Sequence, residues 1–348
     1  MTREAPTGID LDAVEGWIAT NVPDLVGPFT WTRLPGGHSN LTYRIEDRRG
    51  SAAVVRRPPM GELQPKAHDM NREYRIIDAL WGTGVPVARP YGYCADASVT
   101  GQPFYVMGFV DGLPLGSTAD ADTWLPESAR GPVSLSFADT LSALHAVDPV
   151  ERGIGDLGRH DDFAGRQLKA WYRSWVTFMP DAELDDPRAH ELHDLLQAKK
   201  PAEGPARLVH GDFGVHNVLV DETGHITAVL DWEVASLGEP LSDLAYLLNM
   251  WVEPEEVGER GPTMTARPGF LRRADIIARY TERAGSIDDQ KLQYFIALNY
   301  WRTACIVHGV YARYKRGQKS SEGIDLKRFV WSADLSLRLA ARAAARLG

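Results

Sequence analysis

No segment of this 348-residue chain restricts its fold as tightly as LVHGDFGVHNVLVDETGHITAVLDWE, residues 208–233. Val218–Val220 and residues 226–230 are two apolar runs containing β-branched residues, and the DETGH between them is rich in turn formers, a pattern that predicts a β-hairpin. An antiparallel hairpin brings the chain back to the edge it left, so Asn217, just before the first strand, and Asp231, just after the second, should meet in space. Asp212 lies five residues ahead of Asn217, a gap that a compact loop closes. Three oxygen-bearing side chains therefore converge on one edge. Hard donors of this kind suit Mg²⁺, which takes one or two carboxylates together with water and substrate phosphates. A zinc or iron site made from His210, Asp212 and His216 is the rival use of the loop, but no second His or Cys cluster supplies the further ligands such an ion needs. His210 is expected to brace the loop and His216 to be incidental.

The surroundings predict an α+β chain of two lobes. Up to about residue 108, short β-like runs alternate with one helix; beyond about residue 120 the pattern is mainly helical, apart from strands around residues 208–230. TWTRLPGGHSNLTYRIEDRRGSAAVVRRPP reads as three strands separated by two turns. Met70, Tyr74, Ile77 and Trp81 recur at helical spacing ahead of Gly82, Gly84 and Pro86, which should stop the helix. GQPFYVMGFVDGLPL is a buried-type strand running into Gly and Pro, and it makes a natural connection between lobes. Core stripes are expected at Leu135, Leu141 and Leu144 and at Leu168, Trp171, Trp175 and Phe178. The acidic, Pro-broken PDAELDDPRAHELHDLLQ should be a loop entering a helix. The expected division is a small lobe over residues 1–108 and a larger one over 109–348.

Several function classes are disfavoured. A net charge of -9 argues against general nucleic-acid binding, which needs a dominant basic surface. From Trp301 onward, however, ten Lys or Arg face three Asp or Glu, so a solvated set of basic helix faces or a docking face for an acidic substrate is expected there. Two cysteines, Cys94 and Cys305, cannot build a disulfide framework. The acidic N-terminus lacks the features of a signal peptide and no apolar stretch is long enough to span a bilayer, so a soluble cytoplasmic protein is expected. No Gly-Lys pair exists, which removes the Walker phosphate loop, and His190 and His193 are three apart instead of the four a zinc-protease helix requires. No G-x-S-x-G elbow occurs.

HGDFGVHN followed by LDWE, and then GEPLSDLAY, resembles the aminoglycoside phosphotransferase and choline kinase group, relatives of the protein kinases. The resemblance covers most of the chain in the right order. It implies a protein-kinase-like bilobal fold, with a small β-rich nucleotide-binding lobe and a larger, mainly helical catalytic and substrate-binding lobe. It further implies ATP as co-substrate, Mg²⁺ as cofactor and transfer of the γ-phosphoryl group to the hydroxyl of a small molecule. By the same resemblance Asp212 is the base that orients the acceptor hydroxyl, and Asn217 and Asp231 hold metal. Glu233 stands where the family pattern has glycine, and Asp243 either supports the catalytic loop or belongs to a simple helix N-cap made by Ser242 or Asp243.

A kinase-like first lobe also needs a phosphate-covering turn, a base on its third strand and a helix acid to pair with it. Gly36, Gly37, Ser39 and Asn40 are candidates for the turn. Strand alternation puts Val54 and Arg56 on one face, as adenine contact and phosphate-binding base, and Glu73 is the helix acid. Arg56 departs from the lysine of the protein kinases, yet its guanidinium can grip phosphate or carboxylate in a fork. GGHSNLTY, VVRRPP, GVPVARP and YWRTACIVHGVYARYKRG are most similar to the branch fused to some acyl-CoA dehydrogenases, which implies a hydroxy acid or hydroxyacyl-CoA acceptor. Arg302, His308 and Arg313 are candidates to line its pocket, with helix-surface positions as the alternative. An aminoglycoside-type kinase and a nucleotide-binding pseudokinase that acts as a regulator remain the other readings. No nucleic-acid or membrane partner is expected, and the oligomeric state is left open.

Overall fold

The computed structural model describes residues 5–34, 40–61, 68–318 and 323–348. A helix, α1 (Leu11–Asn21), opens the first lobe: Asp10 caps it by accepting from the Ala13 amide, and Val14 and Ile18, four apart, are its buried residues. With α2 (Met70–Leu80) this makes two helices where one is expected. The apolar face of α1 is little more than that single pair, too narrow to stand out as a helical period.

Five antiparallel strands form the sheet beneath it, in the order β1-β2-β3-β5-β4. They are β1 (Thr30–Arg33), β2 (Leu41–Glu46), β3 (Ala52–Arg57), β4 (Pro90–Cys94) and β5 (Phe104–Gly108). Leu41, Tyr43 and Ile45 of β2 and Ala53 and Val55 of β3 share one core with Val14 and Ile18. The intervening residues Val54 and Arg56 accordingly point to the other face, where Val54 pairs across the sheet with Met107 and Arg56 with Tyr105. Asp69 caps α2, and the helix ends at Leu80; Trp81 lies past the end and is exposed.

The larger part of the chain begins with β6 (Leu113–Pro114), α3 (Thr118–Trp124), α4 (Glu127–Ala146), α5 (Phe163–Ala182) and α6 (Pro187–Ala198). Next come the short strands β7 (Arg207–Val209), β8 (Val218–Val220), β9 (Ile226–Val229) and β10 (Ser236–Gly238). The helices α7 (Pro240–Met250), α8 (Val257–Arg260), α9 (Arg273–Ala284), α10 (Asp289–Lys315) and α11 (Leu326–Ala344) complete it. Two small sheets, β6-β8-β9 and β10-β7, sit among these helices.

The buried face of α4 is Val133, Phe137, Leu141 and Leu144, with Leu135 only half-buried, so the expected stripe is rotated toward Phe137. The acidic stretch starts inside a helix, because α5 continues through Pro180 and Asp181; the loop is confined to residues 183–186 before Pro187 opens α6.

One apolar core runs from Ile76, Ile77 and Leu80 of α2 into α4, α5, α7 and α10. Arginines reinforce that junction. Arg72 donates to the Leu157 and Ala235 carbonyls at 2.5 Å each, Arg75 pairs with Asp156 at 2.6 Å, and Arg152 reaches back to the Ala79 carbonyl at 2.6 Å. Helix α2 is thus tied to both lobes, which fixes where Glu73 points. Among the described residues no helix is long and apolar enough to cross a membrane.

Candidate active site

The hairpin forms as β8 and β9, with Val218 opposite Val229 and Leu219 opposite Ala228. Its ends meet: the Leu230 amide donates to the Asn217 carbonyl at 2.8 Å, placing Asp231 beside Asn217. The turn is tight because Gly224, at φ +90, lies against α4, where a Cβ would come within 2.3 Å of the Ala129 carbonyl oxygen.

Ahead of β8 the chain makes a single 3-10 turn, Val215–Asn217, that folds Asn217 back onto Asp212. Asn217 Nδ2 donates to the Asp212 carbonyl at 2.9 Å and to its Oδ2 at 3.0 Å. Its amide nitrogen is therefore spent on Asp212, and its oxygen is the atom with a lone pair to offer a cation. Asp212 Oδ1 accepts the Tyr246 hydroxyl at 2.5 Å and lies 3.3 Å from His216 Nε2. Burial alone would raise the Asp212 carboxyl, but these hydrogen bonds and the nearby His216 and His210 rings outweigh it and hold the group at about 2. Asp212 is an anion across the physiological range. His216 is consequently a neighbour of the Asp212 carboxylate and not incidental.

His210 braces the loop from within. Its Nε2 meets the Leu230 carbonyl at 2.9 Å and its Nδ1 takes the Asp212 amide at 3.3 Å, so neither ring nitrogen is left for a zinc ion. Among the described residues no group of three His, Cys, Asp or Glu is arranged to hold a metal, which removes the His210, Asp212, His216 cage. A site made of one carboxylate and one amide oxygen, completed by phosphate oxygens and water, is a different arrangement and suits Mg²⁺.

Asp243 lies under the loop and is fully buried, accepting from the His210 amide at 2.5 Å and the Gly211 amide at 2.8 Å. Burial would lift its carboxyl; the His145 ring, 3.5 Å away, with His210 and the Gly211 amide, holds it below the usual range instead. Of the two roles open to Asp243, loop support is the one realised, since Glu239 occupies the N-cap of α7. His145 in turn meets the Tyr280 hydroxyl at 2.8 Å, so a buried polar chain links α9, α4 and α7 to the loop.

Across the cleft, Arg56 lies between two acids. Its Nε is 3.0 Å from Glu73 Oε2 and its Nη2 is 3.3 Å from Asp231 Oδ1. Glu73 also accepts from the Tyr105 hydroxyl at 3.0 Å and from Asn40 Nδ2 at 3.2 Å. Asn40 is thus turned toward the helix acid through its nitrogen, while its buried Oδ1 has no hydrogen-bond partner among the described residues. Val54 is buried beside Arg56 on the same strand face. Gly36, Gly37 and Ser39 lie outside the described residues. Glu233 faces His68 Nδ1 at 3.9 Å.

Part of the basic end of the chain is neutralised from within. Lys315 pairs with Glu183, Arg316 with Asp181, Arg338 with Asp334 and Glu259, and Arg342 with Glu259, so these charges do not form a free docking face. Arg302 and His308 are buried and not exposed on a helix surface. His308 stacks on Trp175 with ring centroids 4.0 Å apart and meets the Leu184 carbonyl, while Arg302 donates to the Gly211 carbonyl at 3.0 Å and lies over the Tyr246 ring. Arg313 is half-buried.

Tyr246, Tyr105, His145 and the loop-bracing role of Arg302 are not apparent from the motifs. For Tyr246 one signal existed: it follows Asp243 by three residues on α7, so a helix face that meets the loop through one must present the other nearby.

Residues 30–276 match the phosphotransferase enzyme family. Acyl-CoA dehydrogenase family member 11 of Mus musculus is 33% identical over 331 residues, which is 90% of this chain and 41% of that protein. The chain thus spans about two fifths of the length of such curated relatives. A Ralstonia eutropha protein described as a candidate aminoglycoside phosphotransferase has a crystal structure that superimposes with a TM-score of 0.80 at 29% identity, covering 96% of this chain and 98% of that one. Aminoglycoside phosphotransferase APH(4)-Ia, solved with AMP-PNP and hygromycin B, has a TM-score of 0.60 at 18% identity, covering 96% and 99%, and shares the fold. A small antiparallel sheet lobe, a larger helical lobe and a match over most of the chain agree: this chain belongs to the phosphotransferase enzyme family.

Proposed function

We propose that the protein is an ATP-dependent kinase of a small-molecule hydroxyl, using Asp212 as the acceptor-orienting base and Asn217 and Asp231 as the metal ligands. The observation that carries this reading is the closure of the hairpin: the Leu230–Asn217 hydrogen bond puts Asp231 next to Asn217, which is itself bonded to Asp212. Asp231 in turn touches Arg56, so the base, the metal ligands and the phosphate-binding arginine form one connected set.

Phosphoryl transfer depends mainly on placement and on neutralising charge spread over the phosphoryl oxygens. Arg56 supplies a fixed positive charge held by Glu73, and Asp212, ionised at neutral pH, accepts a hydrogen bond from the acceptor hydroxyl and aims its lone pair. Mg²⁺ bound between Asn217 and Asp231 would offset the charge of the nucleotide phosphates. The AMP-PNP complex of APH(4)-Ia supports an adenine nucleotide as the co-substrate.

For the acceptor, the extent of the match to the acyl-CoA dehydrogenase relatives favours a hydroxy acid or its CoA ester. Hygromycin-B 4-O-kinase of Escherichia coli is similar over only 35% of the chain, which gives an aminoglycoside less support. Incubating the protein with Mg·ATP and hydroxy acids, their CoA esters and aminoglycosides, with ADP release as readout, tests the reading. Acceleration by a hydroxylated acyl compound is expected. Tight Mg·ATP binding without turnover on any hydroxyl compound would favour a pseudokinase instead.

A further inference from the structure

We propose that Tyr246 is a positioning residue for phosphoryl transfer: it occupies Asp212 Oδ1 so that the acceptor hydroxyl is left to meet Oδ2. The inference rests on the kinase reading above and adds to it a residue that the H-G-D motif does not contain.

The argument is one of occupancy. A carboxylate oxygen accepts about two hydrogen bonds. Oδ1 of Asp212 accepts the Tyr246 hydroxyl at 2.5 Å, and the His216 ring crowds its other side, with Nε2 at 3.3 Å. Among the described residues Oδ2 has only Asn217 Nδ2, at 3.0 Å, so one position remains there, and the side chain is 36% exposed. An incoming hydroxyl therefore finds Oδ2, next to Asn217, the less obstructed of the two oxygens.

Tyr246 is itself held on both sides. It stands one helical turn beyond Asp243, whose carboxylate grips the His210 and Gly211 amides, and Arg302 lies over its ring at 5.1 Å while donating to the Gly211 carbonyl. The same two helices, α7 and α10, thereby fix the backbone of the catalytic loop and the rotation of the carboxylate at its centre. A hydroxyl on a half-buried ring held beneath the Arg302 guanidinium is a better-defined anchor than water.

In the transfer step the acceptor O–H donates to Oδ2 and its oxygen forms the new bond to the γ-phosphorus. The bond from that phosphorus to the bridging oxygen breaks, and ADP leaves with the electron pair. The acceptor proton passes through Oδ2 to solvent. Rotation of the carboxylate would move the attacking oxygen off line, and misplacement by about 1 Å costs on the order of 10²-fold in rate.

Tyr246→Phe tests this, because it keeps the ring beneath Arg302 and removes only the hydroxyl. ADP release from Mg·ATP is measured with water and with 3-hydroxybutyryl-CoA as acceptors, alongside calorimetric Mg·ADP binding and thermal melting. The expected result is a kcat lower by about tenfold to a hundredfold, with the Mg·ATP KM and Mg·ADP affinity within about twofold of wild type. In an Asp212→Asn background the same change should have little further effect, because the hydroxyl acts through that carboxylate. A wild-type kcat for Tyr246→Phe, or losses that multiply in the double variant, would overturn the inference while leaving the kinase reading standing. Absence of Mg²⁺-dependent ADP binding by the wild type would overturn both.

Discussion

Arg56 Nη2 stands 3.3 Å from Asp231 Oδ1, across the cleft between the sheet lobe and the hairpin, while its Nε lies 3.0 Å from Glu73. One guanidinium spans two carboxylates, a task for which the compact lysine ammonium is poorly shaped. Arg56→Lys is expected to keep the fold and raise the Mg·ATP KM by about tenfold, the equivalent of one charged contact. Arg56→Met should go further. It leaves Glu73 buried without its cation, a loss that typically costs about 3–5 kcal/mol, and a melting curve reads it directly. A Met variant as stable as wild type would mean that Tyr105 and Asn40 alone satisfy Glu73.

Asp212→Asn separates binding from chemistry. The amide cannot serve as the anionic acceptor for the substrate hydroxyl, yet Asn217 and Asp231 are untouched. Turnover should fall by about 10²–10⁴-fold, with Mg·ADP affinity unchanged by calorimetry. Retention of near-normal turnover would remove Asp212 from the mechanism.

Asp231 adopts the left-handed conformation, φ 59 and ψ 70. Asp and Asn tolerate this conformation better than Ala does, so Asp231→Asn is the substitution that changes charge without adding backbone strain. It should abolish the Mg²⁺ dependence of ADP binding, an effect that chelation with EDTA ought to mimic in the wild type. Equal Mg²⁺ dependence in the two proteins would exclude Asp231 as a ligand.

The hairpin and its consequences were legible in the sequence because they follow from strand geometry and from residues five or fewer positions apart. Asn217 meets Asp212 and the hairpin closes at Leu230, one residue before Asp231, for that reason, and Arg56 meets Glu73 because strand alternation and helix spacing each leave few choices. What escaped depends on which distant elements pack together. Nothing local to Arg302 reveals that α10 runs beneath the Gly211 carbonyl, so its charge looked available when it was buried. Solvated helix faces and a docking face both stayed open for the basic tail for the same reason, since Glu183 and Glu259, the partners of Lys315, Arg338 and Arg342, lie far away in sequence. Helix α1 was missed because its stripe is a single pair of residues.

Asp243 carries a pH dependence. Its folded carboxyl lies below the ordinary value because the loop amides and His145 favour the anion more than burial opposes it. A group depressed on folding contributes stability that is fully present above its unfolded pKa, about 3.9, and is lost as pH falls through the folded value. Melting temperature should therefore hold down to about pH 4 and then decline. Asp243→Asn should be less stable at neutral pH by about 1–3 kcal/mol, through loss of the charged acceptor for two buried amides, and should decline less steeply below pH 4. Parallel acid profiles for the two proteins would contradict this account.

Gly211 joins loop geometry to catalysis. It sits at φ +81 between Asp243, which accepts from its amide, and Arg302, which donates to its carbonyl, and a Cβ there would lie 3.2 Å from the Val234 carbonyl oxygen. An alanine must either keep the left-handed conformation, at a cost of about 1–2 kcal/mol, or relax and swing the following residue, Asp212, away from Tyr246 and Asn217. Gly211→Ala is accordingly expected to lower kcat strongly and stability modestly. Mg·ADP binding should survive, because Asn217 and Asp231 are joined through the Leu230 amide and not through the loop that moves. Calorimetry with Mg·ADP beside steady-state ADP release separates the two effects; loss of both in equal measure would show that the loop and the hairpin ends move as one body.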